Sequence, residues 1–265
     1  MPKKDEVGFG KFTTLKIEIL EKILGMHLAI TQAVLKRRSY YKQSYRYIDV
    51  TAGKGYVPGS SMLGSPLVFI KASSSPNFAI PCNVDLFEKK EGNYQELISN
   101  FQTYSQQHAW QARNHVAFHL GKYEDLLPPL LPTVNSKELG LLFVDHSGDI
   151  PSFETINHVS QMRPRMEILI YIPARNIKRL YHRTNKSLAD YMQEVSKKYW
   201  LIRKPVRWDN LEWTFLLGSN TDIFKNYKKI DFYRLDSSEA HAFFPKLNLT
   251  SKQRMEKVQP KLPNM

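Results

Sequence analysis

The segment Leu139-Gly140-Leu141-Leu142-Phe143-Val144 runs without a polar side chain until Asp145. A strand sends successive side chains to opposite faces, so this run is apolar on both faces and both must be covered. That is the pattern of a central strand in a parallel sheet packed between helices. The surrounding pattern agrees. Residues 13–38 predict a helix, capped by Thr13 or Thr14, with Leu15, Ile19, Ile23 and Met26 on one stripe. A strand follows near Tyr45–Val50. Gly64-Ser65-Pro66 opens a helix, with Ser65 as N-cap and Pro66 at the first helical position. Strands are then expected at Cys82–Phe87, His115–Leu120, Leu139–Asp145 and Glu167–Ile172, and helices at Asn93–Gln107, Phe153–Met162 and Asn176–Tyr199. Two closing strands, Glu212–Leu217 and Ile230–Leu235, have no helix between them, so the last is expected to be antiparallel. Alternating strands and helices imply a doubly wound α/β fold: a mostly parallel, seven-stranded sheet with helices on both faces. One domain is expected over residues 1–250, followed by a flexible basic tail at 251–265 that contains Pro260 and Pro263.

Charge adds a partner. The 265 residues carry a formal charge of +13. Residues 160–265 hold 21 Lys and Arg against 10 Asp and Glu, whereas residues 1–159 hold 17 against 15. Such lopsidedness favours a polyanion, most often nucleic acid, over a merely basic soluble surface. Arg163, Arg165, Arg175, Lys178, Arg179, Arg183 and Lys186 cluster in sequence, and Arg175, Lys178, Arg179 and Arg183 are the expected substrate-binding cations. Tyr181, Tyr191, Trp200, Trp208 and Trp213 are available for stacking, though most are expected in the core. The run Lys36-Arg37-Arg38-Ser39-Tyr40-Tyr41-Lys42 also mixes charge with aromatics. The lone cysteine, Cys82, excludes a disulfide framework or a cysteine-based zinc site within one chain, and no metal is expected. No stretch approaches 18 apolar residues, and no apolar segment follows Lys3-Lys4-Asp5-Glu6. These features predict a cytoplasmic protein without membrane contact, and a protein partner is left open.

In doubly wound sheets ligands sit at the C-terminal ends of the strands. The first strand ends in Asp49-Val50-Thr51-Ala52-Gly53-Lys54-Gly55, where two glycines allow close backbone approach to a ligand. Alone this is compatible with an ordinary tight turn. The second strand ends near Glu88, a carboxylate able to accept two bonds from vicinal ribose hydroxyls or to stand as a solvated charge. After the third strand come Gly121-Lys122-Tyr123-Glu124-Asp125. There Tyr123 can stack on an adenine and Glu124 or Asp125 accept from its amine, or the acids can cap a helix. After the fourth, Asp145-His146-Ser147-Gly148 offers Asp145 as acceptor for an attacking amine and His146 as a base near neutral pH. Together these predict a pocket for S-adenosylmethionine, built from Asp49, Thr51, Ala52, Gly53, Lys54, Gly55, Glu88, Tyr123 and Glu124, with Asp145 and His146 at the chemistry.

The helix Lys16–Lys22, the turn Tyr47-Ile48-Asp49…Ala52-Gly53-Lys54-Gly55, Gly64-Ser65-Pro66-Leu67, Phe87-Glu88-Lys89, Asp145-His146-Ser147-Gly148 and Ile168–Tyr171 together resemble the three-Cys-motif partner proteins. These are a group of predicted Rossmann-like, S-adenosylmethionine-dependent methyltransferases of prokaryotes and their mobile elements. The resemblance spans residues 14–180 and implies a class I methyltransferase fold and cofactor. The family usually has Asp-Pro-Phe-Gly where Asp145-His146-Ser147-Gly148 stands here, and Phe-Ala-Gly-Pro-Gly where Val50-Thr51-Ala52-Gly53-Lys54-Gly55 stands. Enzymes that methylate base amines resemble one another in an (Asp/Asn)-Pro-Pro-aromatic turn; this chain keeps only the acid. Cytosine C5 chemistry needs a nucleophilic cysteine, and Cys82 begins the second strand, on the wrong side for that role.

The sequence therefore predicts methyl transfer to a nucleic-acid base. Transfer to a small molecule or protein, and a non-catalytic module that keeps the fold, stand as alternatives. Nicotinamide chemistry ranks last, because Pro58 occupies the position of the third glycine.

Overall fold

In a computed structural model, residues 11–110, 113–146, 151–184, 186, 188–208 and 211–243 are described. Ser147, Gly148, the tail at 251–265 and the side chains of Lys178, Tyr181 and Trp208 lie outside that set. The elements, in order, are α1 (Lys11–Arg37), β1 (Tyr45–Asp49), α2 (Ser65–Ser73), β2 (Cys82–Glu88), α3 (Glu91–Gln107), β3 (His115–Leu120), α4 (Tyr123–Leu130), β4 (Leu139–Val144), α5 (Phe153–Met162), β5 (Met166–Pro173), α6 (Ala174–Thr184), α7 (Leu188–Glu194), β6 (Tyr199–Arg203), β7 (Val206–Trp208), β8 (Leu211–Ser219), α8 (Phe224–Tyr227), β9 (Phe232–Arg234) and α9 (Ser238–Ala242). The class is mixed α/β and Rossmann-like, as expected, with nine strands rather than seven among the described residues. The chain divides into two compact units, one up to Val144 plus Met162–Ile168, the other Asp145–Gln161 plus the residues from Leu169.

In the first unit the strand order is β3-β2-β1-β4, with the β2–β3, β1–β2 and β1–β4 pairings parallel. All six residues of β4 are buried, as its double-sided apolarity requires. Parallel register puts Tyr45, Tyr47 and Asp49 of β1 on one face with Val84, Leu86 and Glu88 of β2. Tyr47 stacks on Phe69 of α2 with ring centroids 4.2 Å apart, and Tyr45 bonds His27 of α1 at 2.8 Å. The buried stripe of α1 runs through Ile19, Leu20, Ile23, Leu24 and Leu28, and is therefore centred beside the expected Leu15–Ile19–Ile23–Met26 line. The opposite face carries Arg46, Asn83, Asp85 and His119. Arg46 donates to Asp85 and, at 2.7 Å, to Glu138; Glu138 also takes bonds from Ser44 and Asn83, and His119 meets Asp85 at 3.0 Å. Asp85 and Glu138 are buried, and the network ties β1, β2 and β3 to the residue preceding β4.

In the second unit the order is β5-β8-β6-β9, with β7 on β8. The β6–β8, β7–β8 and β6–β9 pairings are antiparallel. The long helix expected over Asn176–Tyr199 is instead α6, α7 and the start of β6. Thr184, Asn185 and Ser187 are weak helix formers whose side chains compete for backbone bonds. Tyr199-Trp200-Leu201-Ile202 is aromatic and branched, which suits a strand. Ser65 is not the N-cap of α2: Gly64 is, and Ser65 is the first helical residue. A Cβ on Gly64 would stand 2.7 Å from the Gly55 carbonyl oxygen, so only glycine fits there.

Candidate functional site

The first unit gathers the turn after β1, the end of β2 and the start of α4 at the C-terminal ends of its strands. Asp49 is buried and serves the turn itself, its carboxylate accepting from the Thr51 amide at 3.0 Å and from the Tyr47 hydroxyl at 3.3 Å. The amides of Val50 and Ala52 bond the carbonyls of Phe143 and Phe87, so β4 and β2 both hold the turn in place. Gly53 and Gly55 have φ of +63° and +85°, where L side chains are strained. Their surroundings differ. A Cβ on Gly53 would meet nothing within 4 Å, whereas one on Gly55 would touch Asn100, Leu97 and Leu67. Gly53 therefore faces open space beside the turn, and Gly55 faces the packing of α2 and α3.

Three further residues clamp this loop: Gly64, marked in the sequence as opening a helix, and Glu96 and Asn100, which carry no sequence signal. The Gly55 carbonyl accepts from the Gly64 amide at 2.6 Å, the Lys54 carbonyl accepts from Asn100 at 2.8 Å, and the Lys54 ammonium pairs with Glu96 at 2.7 Å. Asn100 and Glu96 lie about 45 residues from their partners, so only tertiary structure joins them; Gly64, directly before Ser-Pro, was the one visible signal.

Glu88 ends β2 and is buried, with Oε1 accepting from the Lys90 amide at 2.8 Å. Its Oε2 takes no bond from the described residues, which leaves acceptor capacity toward a hydroxylated ligand. The Glu88 carbonyl accepts from the Gly121 amide at 3.0 Å, which joins β2 to the turn before α4. Tyr123 is only 4% exposed, so its ring is mostly committed to packing, and Glu124 sits half-buried in the first turn of α4. A hollow of about 210 Å³ in this unit, lined in part by Ser74, Trp110 and Arg113, opens at the start of β2, the end away from Glu88. Cys82 is buried there, and burial pushes its thiol up to about 12, which disfavours the thiolate near neutral pH.

In the second unit Asp145 and His146 are half-buried. The buried Tyr171 hydroxyl of β5 is held well above the ordinary tyrosine range, first by burial and then by the negative charge of Asp145, with Arg175 opposing. Asp145, Tyr171 and Arg175 therefore form one electrostatic group, with Tyr171 a member not foreseen. Arg175, Arg179 and Arg183 are exposed on α6 at four-residue spacing, one stripe of the helix. Two of the seven clustered cations belong elsewhere. Arg163 and Arg165 lie in the first unit, and Arg163 is buried, donating to the Val134 carbonyl. Lys186 pairs with Glu194. Tyr191, Trp200 and Trp213 are core residues; Tyr191 stacks on Phe153 at 4.7 Å. Among the described residues no three His, Cys, Asp or Glu side chains gather as a metal site, and no helix is long and apolar enough to cross a membrane.

The arrangement is similar to that of a protein from Legionella pneumophila, LPL1258, with a TM-score of 0.50 at 14% identity over 83% of this chain and 91% of that one. That likeness is one of fold. Weaker likenesses include human methyltransferase 10 domain containing protein (TM-score 0.41, 10% identity, 81% of this chain and 85% of that one) and spermidine synthase from Thermotoga maritima (0.44, 9%, 91% and 69%). No family model and no curated protein matches the sequence; of what the resemblance to three-Cys-motif partner proteins implies, the structure bears out the Rossmann-like fold.

Proposed function

We propose that the chain is an S-adenosylmethionine-dependent methyltransferase acting on a nucleic-acid base. The carrying observation is the juxtaposition, in one unit, of a clamped glycine turn with open space at Gly53 and a buried carboxylate, Glu88, with an oxygen to spare. These residues suit the cofactor: Gly53 permits close backbone approach, and Glu88 accepts from its ribose hydroxyls. When bound, the cofactor supplies an electrophilic methyl group. Asp145 holds and orients the acceptor amine and takes up its proton, with His146 beside it in the chain. The Arg175–Arg179–Arg183 stripe supports a polyanionic substrate, its guanidinium groups seating phosphates. The test is a radiolabelled methyl-transfer assay on total RNA, genomic DNA and lysate protein in parallel. Label in nucleic acid alone is expected. Label confined to protein would remove the substrate assignment, and no calorimetric heat with S-adenosylmethionine or its demethylated product would remove the enzyme.

The two glycines should separate binding from stability. Gly53→Val and Gly55→Val both carry the strain of a positive φ, about 1–2 kcal/mol. Only Gly55→Val also crowds Asn100, Leu97 and Leu67. Gly53→Val is expected to abolish cofactor binding by calorimetry with a small fall in Tm, and Gly55→Val to lower Tm markedly more. Wild-type affinity in Gly53→Val would remove the turn from the site.

A further inference from the structure

The site above leaves the basic, aromatic run after α1 unused. There the chain turns from Arg37 toward Tyr45, at the N-terminal ends of β1 and β4 and thus the far end of β1 from Gly53. Tyr40 is 49% exposed, and its ring lies on that of Tyr41 with centroids 4.2 Å apart. Arg165, from the turn before β5, covers the Tyr41 ring at 5.2 Å, and Arg38 bonds the Tyr40 hydroxyl at 3.2 Å. The Lys42 amide bonds the Lys137 carbonyl at 3.2 Å, which sets two exposed lysines side by side. The neighbouring carboxylate, Glu138, is buried, bonded to Ser44, Arg46 and Asn83, and lies 3.5 Å from the Lys42 ammonium, so Lys42 is partly neutralised and the surface charge rests mainly on Arg38, Lys137 and Arg165. All of these residues belong to the first unit.

We infer that this face is a second nucleic-acid-binding surface, which stacks a base of a single strand on the Tyr40–Tyr41 pair and seats the flanking phosphates on Arg38, Lys137 and Arg165. Exposed aromatic rings among cations are how proteins hold single strands without reading sequence. An anionic membrane would call for exposed leucine, phenylalanine or tryptophan to enter the acyl region, and the run Arg38–Gln43 contains none. The surface goes beyond the methyl-donor reading, because binding here needs no cofactor. It would hold a substrate at a distance from the β1 turn.

The test is fluorescence anisotropy of the full chain with a fluorescein-labelled, mixed-sequence single-stranded RNA of about 12 nucleotides, a site size in the range of single-strand binding folds. Tyr40→Ala is expected to weaken binding roughly tenfold, within the span reported for one stacked base. Tyr40→Phe should retain affinity, because it keeps the ring and loses only the hydroxyl's bonds to Arg38 and Tyr41. Arg165→Glu should weaken binding and make its salt dependence shallower. All three should bind S-adenosylmethionine as the parent does, so a failed cofactor measurement and a failed RNA measurement are told apart. Parent-like RNA affinity in both Tyr40→Ala and Arg165→Glu would overturn the proposal. So would tighter binding to phosphatidylserine vesicles than to RNA.

Discussion

Asp145→Ala is expected to lower methyl transfer by about 10²–10⁴-fold while leaving S-adenosylmethionine affinity near the parental value, the range for loss of a positioned general base or acceptor. The expectation rests on place and charge. Asp145 directly follows β4, whose residues are all buried, so its backbone is held by packing. Its negative charge is felt by Tyr171, so the carboxylate and the hydroxyl share one environment. Initial rates with radiolabelled cofactor, paired with calorimetry on the same preparation, check it. Equal losses in rate and affinity would move Asp145 from the chemistry to the cofactor pocket. Tyr171→Phe is the informative companion: it keeps the ring against Trp213 and Phe215 and removes the hydroxyl alone.

Arg46→Met should cost about 3–5 kcal/mol of stability, because it strands two buried carboxylates, Asp85 and Glu138, without their shared cation. The effect should depend on pH with a definite sign. Burial works against ionisation of Glu138, but bonds from Ser44, Arg46 and Asn83 and the Arg46 charge outweigh it, so its carboxyl lies below the ordinary 4.5. A depressed folded-state pKa contributes stability that is present above the unfolded value and lost as pH falls through the folded one. The parent should therefore lose stability as pH falls below about 4.5. Arg46→Met should lose less over that range, since protonation relieves its stranded acids. Urea unfolding at pH 7 and pH 4 measures both curves. Glu138→Gln placed on Arg46→Met should recover part of the loss, and a loss below about 1 kcal/mol at pH 7 would show that the network carries little net energy.

Elements whose signal is local were legible. The double-sided apolarity of Leu139–Val144 identified β4, and the glycines after Asp49 located a turn with left-handed backbone. Where local signals conflicted, reading failed. The apolar spacing across Asn176–Tyr199 suggests one helix, yet α6 ends at Thr184, α7 ends at Glu194 and Tyr199–Ile202 pairs as a strand. Charge was the least legible. Arg163 and Arg165 sit in the same stretch as Arg175 and Arg179, but one is buried on a carbonyl and the other lies across a tyrosine ring.

Periodicity and composition, which depend only on neighbours along the chain, determined the α/β class, the buried central strand and the positions of Gly53, Glu88 and Asp145 at strand ends. Long-range register decided the rest. Which face of β1 carries Arg46, and so which carboxylates it neutralises, follows from pairing with β2 and β4. That Asn100 and Glu96 of α3 clamp the Lys54 loop follows from helix packing across more than 40 residues of intervening chain. Hydrogen bonds and ion pairs act over a few ångströms of space, and the chain brings those atoms together only once the strands have found their order.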